Sequence, residues 1–409
     1  MNFWLTLGIV LFTYIGIALG YWPRLRANRT TITLMGAGLL IATSQIAFKD
    51  IGQFLDLDTL ILLFSMMVIN ANLRIAGFFK LAGNALLRVA RTPRALLAVL
   101  ILVTGVLSAF FLNDTICLML TPLVLDLILA TGRNPIPYLI GLATAANIGS
   151  TATLTGNPQN MIIGVASGIS YTHFAASLAP IALLGLGVVW IVLVLAYPKE
   201  FRTDPFSIHN LPTPRFHKPL LIKSLLVMAG LLVAFLIGMP IAKAAFLAAC
   251  ILLFTRRLKP EKVFAEFDWS ILVFFAALFI VTGSLEKNGV TKELFKLALG
   301  TRELNNLSLS TLTVVLSNLV SNVPAVLLLK PVVLGLGNPT AGWLTLAAAS
   351  TLAGNLTLLG SVANLIVAEI AERRRVHLSF WEYTRVGMLI TLITLVISTL
   401  WLQFFVWRG

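Results

Sequence analysis

Phe110-Phe111-Leu112-Asn113-Asp114-Thr115 interrupts an apolar run that extends from Ala95 to Ala130. An amide, a carboxylate and a hydroxyl stand side by side where the flanking residues suit only hydrocarbon. A second interruption, Val320-Ser321-Asn322-Val323-Pro324, divides the apolar run 307–337. Each half of the first run is about 17 residues, roughly 25 Å of helix, which is marginal for a bilayer crossing but right for one leg of a hairpin. The sequence therefore predicts two re-entrant helical hairpins, 95–131 and 307–337, whose polar tips meet at a shared site.

The composition sets the frame around them. Of 409 residues, 58% are hydrophobic and only 11% charged, against about 25% charged in a soluble domain. The fold class that follows is an all-α polytopic membrane protein, with about ten spanning helices of roughly 20 apolar residues each plus the two hairpins. The first apolar segment, 3–21, has no basic n-region or small-residue cleavage site and reads as a retained span. The net charge of +14 does not indicate nucleic acid, because the basic residues gather in short loops between apolar runs and face lipid headgroups. Cys117 and Cys250 lie in apolar runs, and the four histidines form no zinc-type pair. No nucleophile–base or metal constellation falls within the spans. The chain reads as no enzyme and needs no cofactor beyond a Na⁺ ion.

Charge also orients the chain. With the N-terminus outside and both hairpins returning to their side of entry, the inner loops collect most of the basic residues. These loops are the turn with Arg24, Arg26 and Arg29, the loop from Arg74 to Arg94, Arg133, the connector 198–219, the stretch from Arg256 to Lys262, and Arg373, Arg374, Arg375 and Arg385. Full crossing by either hairpin would scatter arginines on both sides, against the positive-inside rule. The expected location is the cytoplasmic (inner) membrane, multi-pass.

Self-similarity organises the length of the chain. Asp58 to Phe64 matches Asp268 to Phe274, Asn113 to Pro122 matches Asn322 to Pro331, and Gly156 to Asn160 matches Gly360 to Asn364, with Thr153 over Thr357. Residues 1–57 then form N-terminal scaffold spans and 58–197 a first repeat, with hairpin 95–131 and broken helix 137–167. Residues 198–219 form a cytoplasmic connector. Residues 220–409 form a second repeat, with hairpin 307–337 and broken helix 342–371. The first hairpin enters from inside and the second from outside, so the repeats are inverted, as in secondary transporters of alternating access.

Unwound backbone at membrane depth is tolerated only where it is buried in protein or lines a cavity. Four breaks in two matched pairs thus predict a central polar cavity. Helix N-termini at the breaks suit an anion, and carbonyl ends suit a Na⁺ ion, placed near Asn113, Asp114 and Gly149. The expected substrate-binding residues are Asn113, Thr115, Ser150, Thr151, Thr153, Asn157, Asn160, Ser321, Asn322, Asn355, Thr357 and Asn364. Interhelical hydrogen bonding is the competing role for each of them. Asp114, a carboxylate at bilayer depth, is the expected cation or proton coupling residue, with a helix cap as a compatible second role. Lys330, beside the repeated Pro331, is the other charge in a hairpin. It is read as a coupling residue, with snorkelling to the interface as the alternative.

The segments Asn147 to Asn160, Asp268 to Phe279 and Ala353 to Ile366 resemble the ion transporter superfamily, in its arsenite permease and Na⁺/H⁺ antiporter-related branch with a citrate transporter-like domain. Divalent anion:sodium symporters are more distant relatives. The resemblance covers nearly everything from about residue 58 onward. It implies an elevator transporter, a homodimer, with scaffold helices flanking a mobile transport domain. In the symporters a Ser-Asn-Thr motif caps each hairpin. Here Leu112-Asn113-Asp114 and Ser321-Asn322-Val323 keep the asparagines but neither threonine. The expected function is secondary active transport of a small inorganic or organic anion or oxyanion, arsenite-like, coupled to H⁺ or Na⁺. The alternatives are a Na⁺/H⁺ antiporter and a carboxylate symporter of the same fold.

Overall fold

The computed structural model describes residues 2–19, 27–89, 92–202, 216–256, 258–289 and 304–407, with 85–89 as backbone alone. Arg24, Arg26, Arg91, Arg215, Arg257, the middle of the connector and the loop 290–303 lie outside the described residues, as does the side chain of Arg88. The described residues form helices and no strand. In the first half the longer ones are α1 (Phe3–Leu19), α2 (Arg29–Ala42), α3 (Leu57–Ala76), α4 (Phe78–Val89), α5 (Pro93–Phe110), α6 (Asn113–Ala130), α7 (Ile136–Ser150), α8 (Pro158–Ser167) and α9 (Tyr171–Ala196). In the second they are α10 (Lys218–Leu236), α11 (Ile241–Leu253), α12 (Trp269–Lys287), α13 (Asn306–Val320), α14 (Asn322–Leu334), α15 (Pro339–Ala353), α16 (Val362–Arg373) and α17 (Phe380–Leu402).

Local chemistry explains the boundaries. Thr92 caps α5 by accepting from the Ala95 N–H, and Pro93 follows at the first helical position, where its missing N–H costs nothing. Asn338 and Pro339 open α15 in the same way. Gly77 ends α3 with φ +86°, a left-handed conformation that favours glycine. Asp268 caps α12 through the Ser270 N–H at 3.1 Å. The cap of α3, however, is Asp56, which accepts from the Thr59 N–H at 3.0 Å, and not Asp58. The sequence match of Asp58 with Asp268 is thus out of step with the helix ends.

Both expected interruptions are present, each as a helix–break–helix pair whose two legs pack on each other. The first breaks at two residues, Phe111 and Leu112, and the second at one, Ser321. The legs of the second have 15 and 13 residues, about 22 and 20 Å, too short for a hydrocarbon core of about 30 Å. Those of the first have 18 residues each, about 27 Å, at the limit of a crossing. Seven helices among the described residues are long and apolar enough to span a membrane: α3, α5, α6, α9, α10, α12, and α17 with its continuation to Trp407. The remaining apolar helices, α1, α2, α11, α13 and α14, are shorter.

Packing divides the helices into two groups. One comprises α1, α2, α3, α10, α11 and α12, and the other comprises α5 to α9 with α13 to α17. Within the first group α2 lies against α12 and α11 against α3, so each half contributes a helix to the other. In the second group α7 and α15 run through the centre, buried from Pro137 to Ser150 and from Ala341 to Ala353. Gly149 brings α7 onto α5 backbone to backbone. A Cβ there would collide with the Gly105 carbonyl, which no side-chain rotation relieves. The two breaks that follow α7 and α15 therefore face each other in the middle of the protein.

Candidate functional site

Residues 151–157 and 354–361 separate α7 from α8 and α15 from α16. Each break frees buried backbone carbonyls that must find donors. Asn160 supplies them in the first half: its Nδ2 donates to Ser150 O at 3.1 Å and Thr153 O at 2.9 Å. Asn364 does the same in the second, donating to Gly354 O at 2.8 Å and Thr357 O at 3.1 Å. The paired residues occupy matched positions, so the sequence repeat is also a repeat of hydrogen bonds.

The residues that open the second segment of each broken helix reach across to the other half. Asn157, the cap of α8, donates from Nδ2 to Thr351 Oγ1 on α15 at 3.2 Å. Ser361, the cap of α16, donates from Oγ to Asn147 Oδ1 on α7 at 3.0 Å. Thr351 and Asn147 are themselves matched positions, which makes the two contacts reciprocal. Gln159 adds a further bond from Nε2 to Thr351 Oγ1, at 3.2 Å.

Asn147 is the hub. Its Nδ2 donates to Asn355 Oδ1 at 2.8 Å and to Asn364 Oδ1 at 3.0 Å. Its Oδ1 accepts from Asn113 Nδ2 at 2.9 Å as well as from Ser361. Both N–H groups and both lone pairs are used, so this buried amide has no capacity left for a ligand. It orients the four side chains around it. Sequence reasoning placed Asn147 in a motif but not in the site, and it passed over Gln159, Thr351 and Ser361. The available signal was register: Asn147 and Thr351 are matched, and each precedes a break by one helical turn.

The cluster brings together Asn113, Ser150, Asn157, Asn160, Asn355 and Asn364 of the expected residues. Ser150 Oγ donates to Asn147 O at 2.7 Å and accepts from Asn157 Nδ2 at 2.8 Å. Thr151 Oγ1 donates to Asn147 O at 3.4 Å, and Asn355 Nδ2 donates to Thr144 O at the same distance. Thr153 Oγ1 donates to Ala109 O and so ties the first loop to the hairpin. Among the described residues Thr357 joins only through its carbonyl. Thr115 is half-buried, and its hydroxyl has no hydrogen bond among the described residues.

The second hairpin tip is not joined to the cluster in the same way. Asn113 bonds twice, from its backbone N–H to Gly156 O at 3.1 Å and from its side chain to Asn147. Asn322 lies against Gly354, but its Oδ1 is buried without a hydrogen-bond partner among the described residues. Asn318, one turn earlier, donates to Ala353 O at 3.3 Å, and its own Oδ1 is likewise buried and unpaired. Ser321 adopts φ +79° and ψ 159°, a region nearly confined to glycine.

The charged candidates stand apart. The Asp114 carboxylate is half-buried and has no hydrogen-bond or ion-pair partner among the described residues. The charges acting on it come from Asp268, at the cap of α12, and from Arg29, at the start of α2. Lys330 is half-buried on α14, about two turns from the tip, without an ion pair among the described residues. Cys117 is buried in α6.

Two unwound helices, buried at the centre of a polytopic bundle and tied across its halves by neutral amides, define a membrane transport protein. The chain belongs to the citrate transporter family CitMHS, which matches residues 14–353. It is 32% identical over 448 residues to the silicon efflux transporter LSI3 of Oryza sativa subsp. japonica, with 92% of each chain covered. It is 26% identical over 488 residues to the putative transporter arsB of Dictyostelium discoideum, covering 91% of this chain and 86% of that one. The crystal structure of the Alcanivorax borkumensis YdaH transporter shares the fold, with a TM-score of 0.62 at 16% identity over 98% and 97% of the two chains.

Proposed function

We propose that this protein is a secondary active transporter that moves a small oxyacid or its anion across the cytoplasmic membrane, coupled to H⁺ or Na⁺. The observation that carries this reading is the buried cluster around Asn147, built from amides and hydroxyls of both halves. No Lys, Arg or His among the described residues donates to it. Neutral donors and acceptors suit a hydroxylated acid of little or no charge, arsenite-like. They suit a multiply charged carboxylate such as citrate poorly, since buried charge needs a partner. The silicon named for the rice relative travels in water as a hydroxylated acid of this type.

Asp114 supports a second reading, Na⁺/H⁺ antiport. An acid at membrane depth, with no bonded partner among the described residues, has the character of a group that takes up and releases a cation. We also read the two helix groups as a scaffold and a mobile transport domain, in a homodimer with its N-terminus outside.

Proteoliposomes separate the readings. Arsenite or silicic acid is expected to accumulate only under an imposed proton or sodium gradient, with the element measured by mass spectrometry. Proton movement driven by Na⁺ with no oxyacid present would replace this proposal with antiport. Asp114→Asn is expected to lower coupled transport at least 10-fold while the protein remains in the membrane. Wild-type rates would remove Asp114 from the mechanism.

A further inference from the structure

The tip of the first hairpin is held from two sides by residues that flank Leu112. On one side Asn113 bonds to Gly156 O and Asn147. On the other, the Phe111 ring meets Phe78 and Phe79 edge to face, with centroids 5.8 and 5.7 Å apart. Phe78 and Phe79 pack on each other at 5.2 Å. Phe79 and Phe111 are buried. These two phenylalanines open α4, immediately after the left-handed Gly77 that ends α3. Helix α3 belongs to the first helix group and the hairpin to the second, so the triad sits where the chain passes between them.

We propose that Phe111 is a positioning residue that couples the amide cluster to the joint at Gly77. The inference rests on the transporter reading and goes beyond it, by naming one contact, beside the direct packing of α8 on α3, through which the hairpin tip is mechanically linked to the first helix group. Asn113 and Phe111 are two residues apart on an extended segment, Phe111 having φ −125° and ψ 158°. A displacement of the Asn113 amide by cargo therefore moves the Phe111 ring against the start of α4. Edge-to-face ring packing is directional and tolerates little sliding, which makes the triad a contact with a seated and an unseated arrangement. With the tip seated, the opening turn of α4 follows the hairpin tip; with the ring removed, α4 still packs along α5 and α6, but its opening turn no longer follows the tip.

The test uses the full-length protein in proteoliposomes, with arsenite as cargo and a pH-sensitive dye inside. Phe111→Ala and Phe78→Ala are expected to leave half-saturating arsenite within about 2-fold and to lower the maximal rate about 10-fold. Both should raise proton leak without arsenite, all per correctly folded molecule counted by size-exclusion chromatography. Phe111→Leu, which keeps most of the volume, should recover only part of the rate. An unchanged leak with an unchanged maximal rate in both alanine variants would overturn the proposal, as would a change confined to half-saturation. A second measurement needs no cargo. Asn113→Ala is expected to speed hydrogen exchange in 78–82 at least 3-fold when Phe111 is present and not in Phe111→Ala. Equal effects in the two backgrounds overturn the coupling. Silence of the wild type toward arsenite would instead count against the oxyacid reading and leave this exchange test to decide.

Discussion

The two hairpins occupy matched places in the repeat, yet among the described residues their tips are held differently. The first tip holds two hydrogen bonds through Asn113 and an aromatic contact through Phe111. The second has a single-residue turn in an unfavourable conformation at Ser321, and buried amide oxygens on Asn318 and Asn322 without partners among the described residues. The broken helices behind the tips show the opposite behaviour, since Asn160 and Asn364 clamp equivalent carbonyls in the same way. Symmetry is thus kept where freed backbone must be satisfied, and relaxed where chain ends of helices meet the site. A duplicated fold can retain its frame while its two tips diverge into different tasks.

The largest expected effect tests the frame that both tips share. Asn147→Asp replaces two donors by lone pairs facing Asn355 Oδ1 and Asn364 Oδ1. Asn364 cannot simply flip, because its amide N–H groups already hold two carbonyls, and a flip of Asn355 would give up its bond to Thr144 O. A buried charge left facing acceptors costs about 3–5 kcal/mol, so the variant should lose most of its folded fraction in a thermal fluorescence–chromatography assay. A stable, active variant would break the idea of a common hub.

The next effect compares the tips directly. Asn113→Ala removes a buried hydrogen bond and leaves Asn147 Oδ1 short of one donor, for about 1–3 kcal/mol. Asn322→Ala removes an amide whose oxygen is already unpaired, and should cost less than half as much in the same melting measurement. Equal losses would show that the second tip is fastened after all.

The smallest effect concerns backbone. Ser321→Gly relieves a conformation that costs roughly 1–3 kcal/mol but adds chain freedom in the unfolded state, worth roughly 0.5–1 kcal/mol. A small rise in melting temperature is expected, and none for Leu112→Gly, whose φ of −54° is ordinary. A fall at Ser321 would mean that its side chain carries more than its backbone loses.

Much of this was legible in the sequence because helix breaks announce themselves by residue type. Asn113 and Ser321 are polar residues inside otherwise apolar runs, Gly156 and Gly360 stand in stretches of small and polar residues within apolar segments, and the structure puts a break at or beside each of them. The reach of side chains was not legible. Asn147 lies inside a helix and looks like any small motif residue until α15 is placed beside α7, and Thr351 gains meaning only as its counterpart. Asp58 looked equivalent to Asp268, but a cap is defined by which carboxylate finds a free N–H, and Asp56 sits two residues nearer the helix end. Asp114 stood out as a charge, yet its charged neighbours lie at the starts of α2 and α12, far along the chain and invisible to spacing.

The exchange of helices between halves, α2 against α12 and α11 against α3, bears on how the chain is made. When α3 leaves the ribosome, the helix that will cover it has not been synthesised. At about 5–20 residues per second, roughly ten to thirty seconds pass before α11 follows. During that interval the buried face of α3, with its amides Asn70 and Asn72, must be sheltered by lipid, by the insertion machinery or by a temporary neighbour. A first half expressed alone would remain in that waiting state. Supplying the second half on a separate chain should complete it, so co-expression of the two halves is a direct measure of how far each depends on the other to fold.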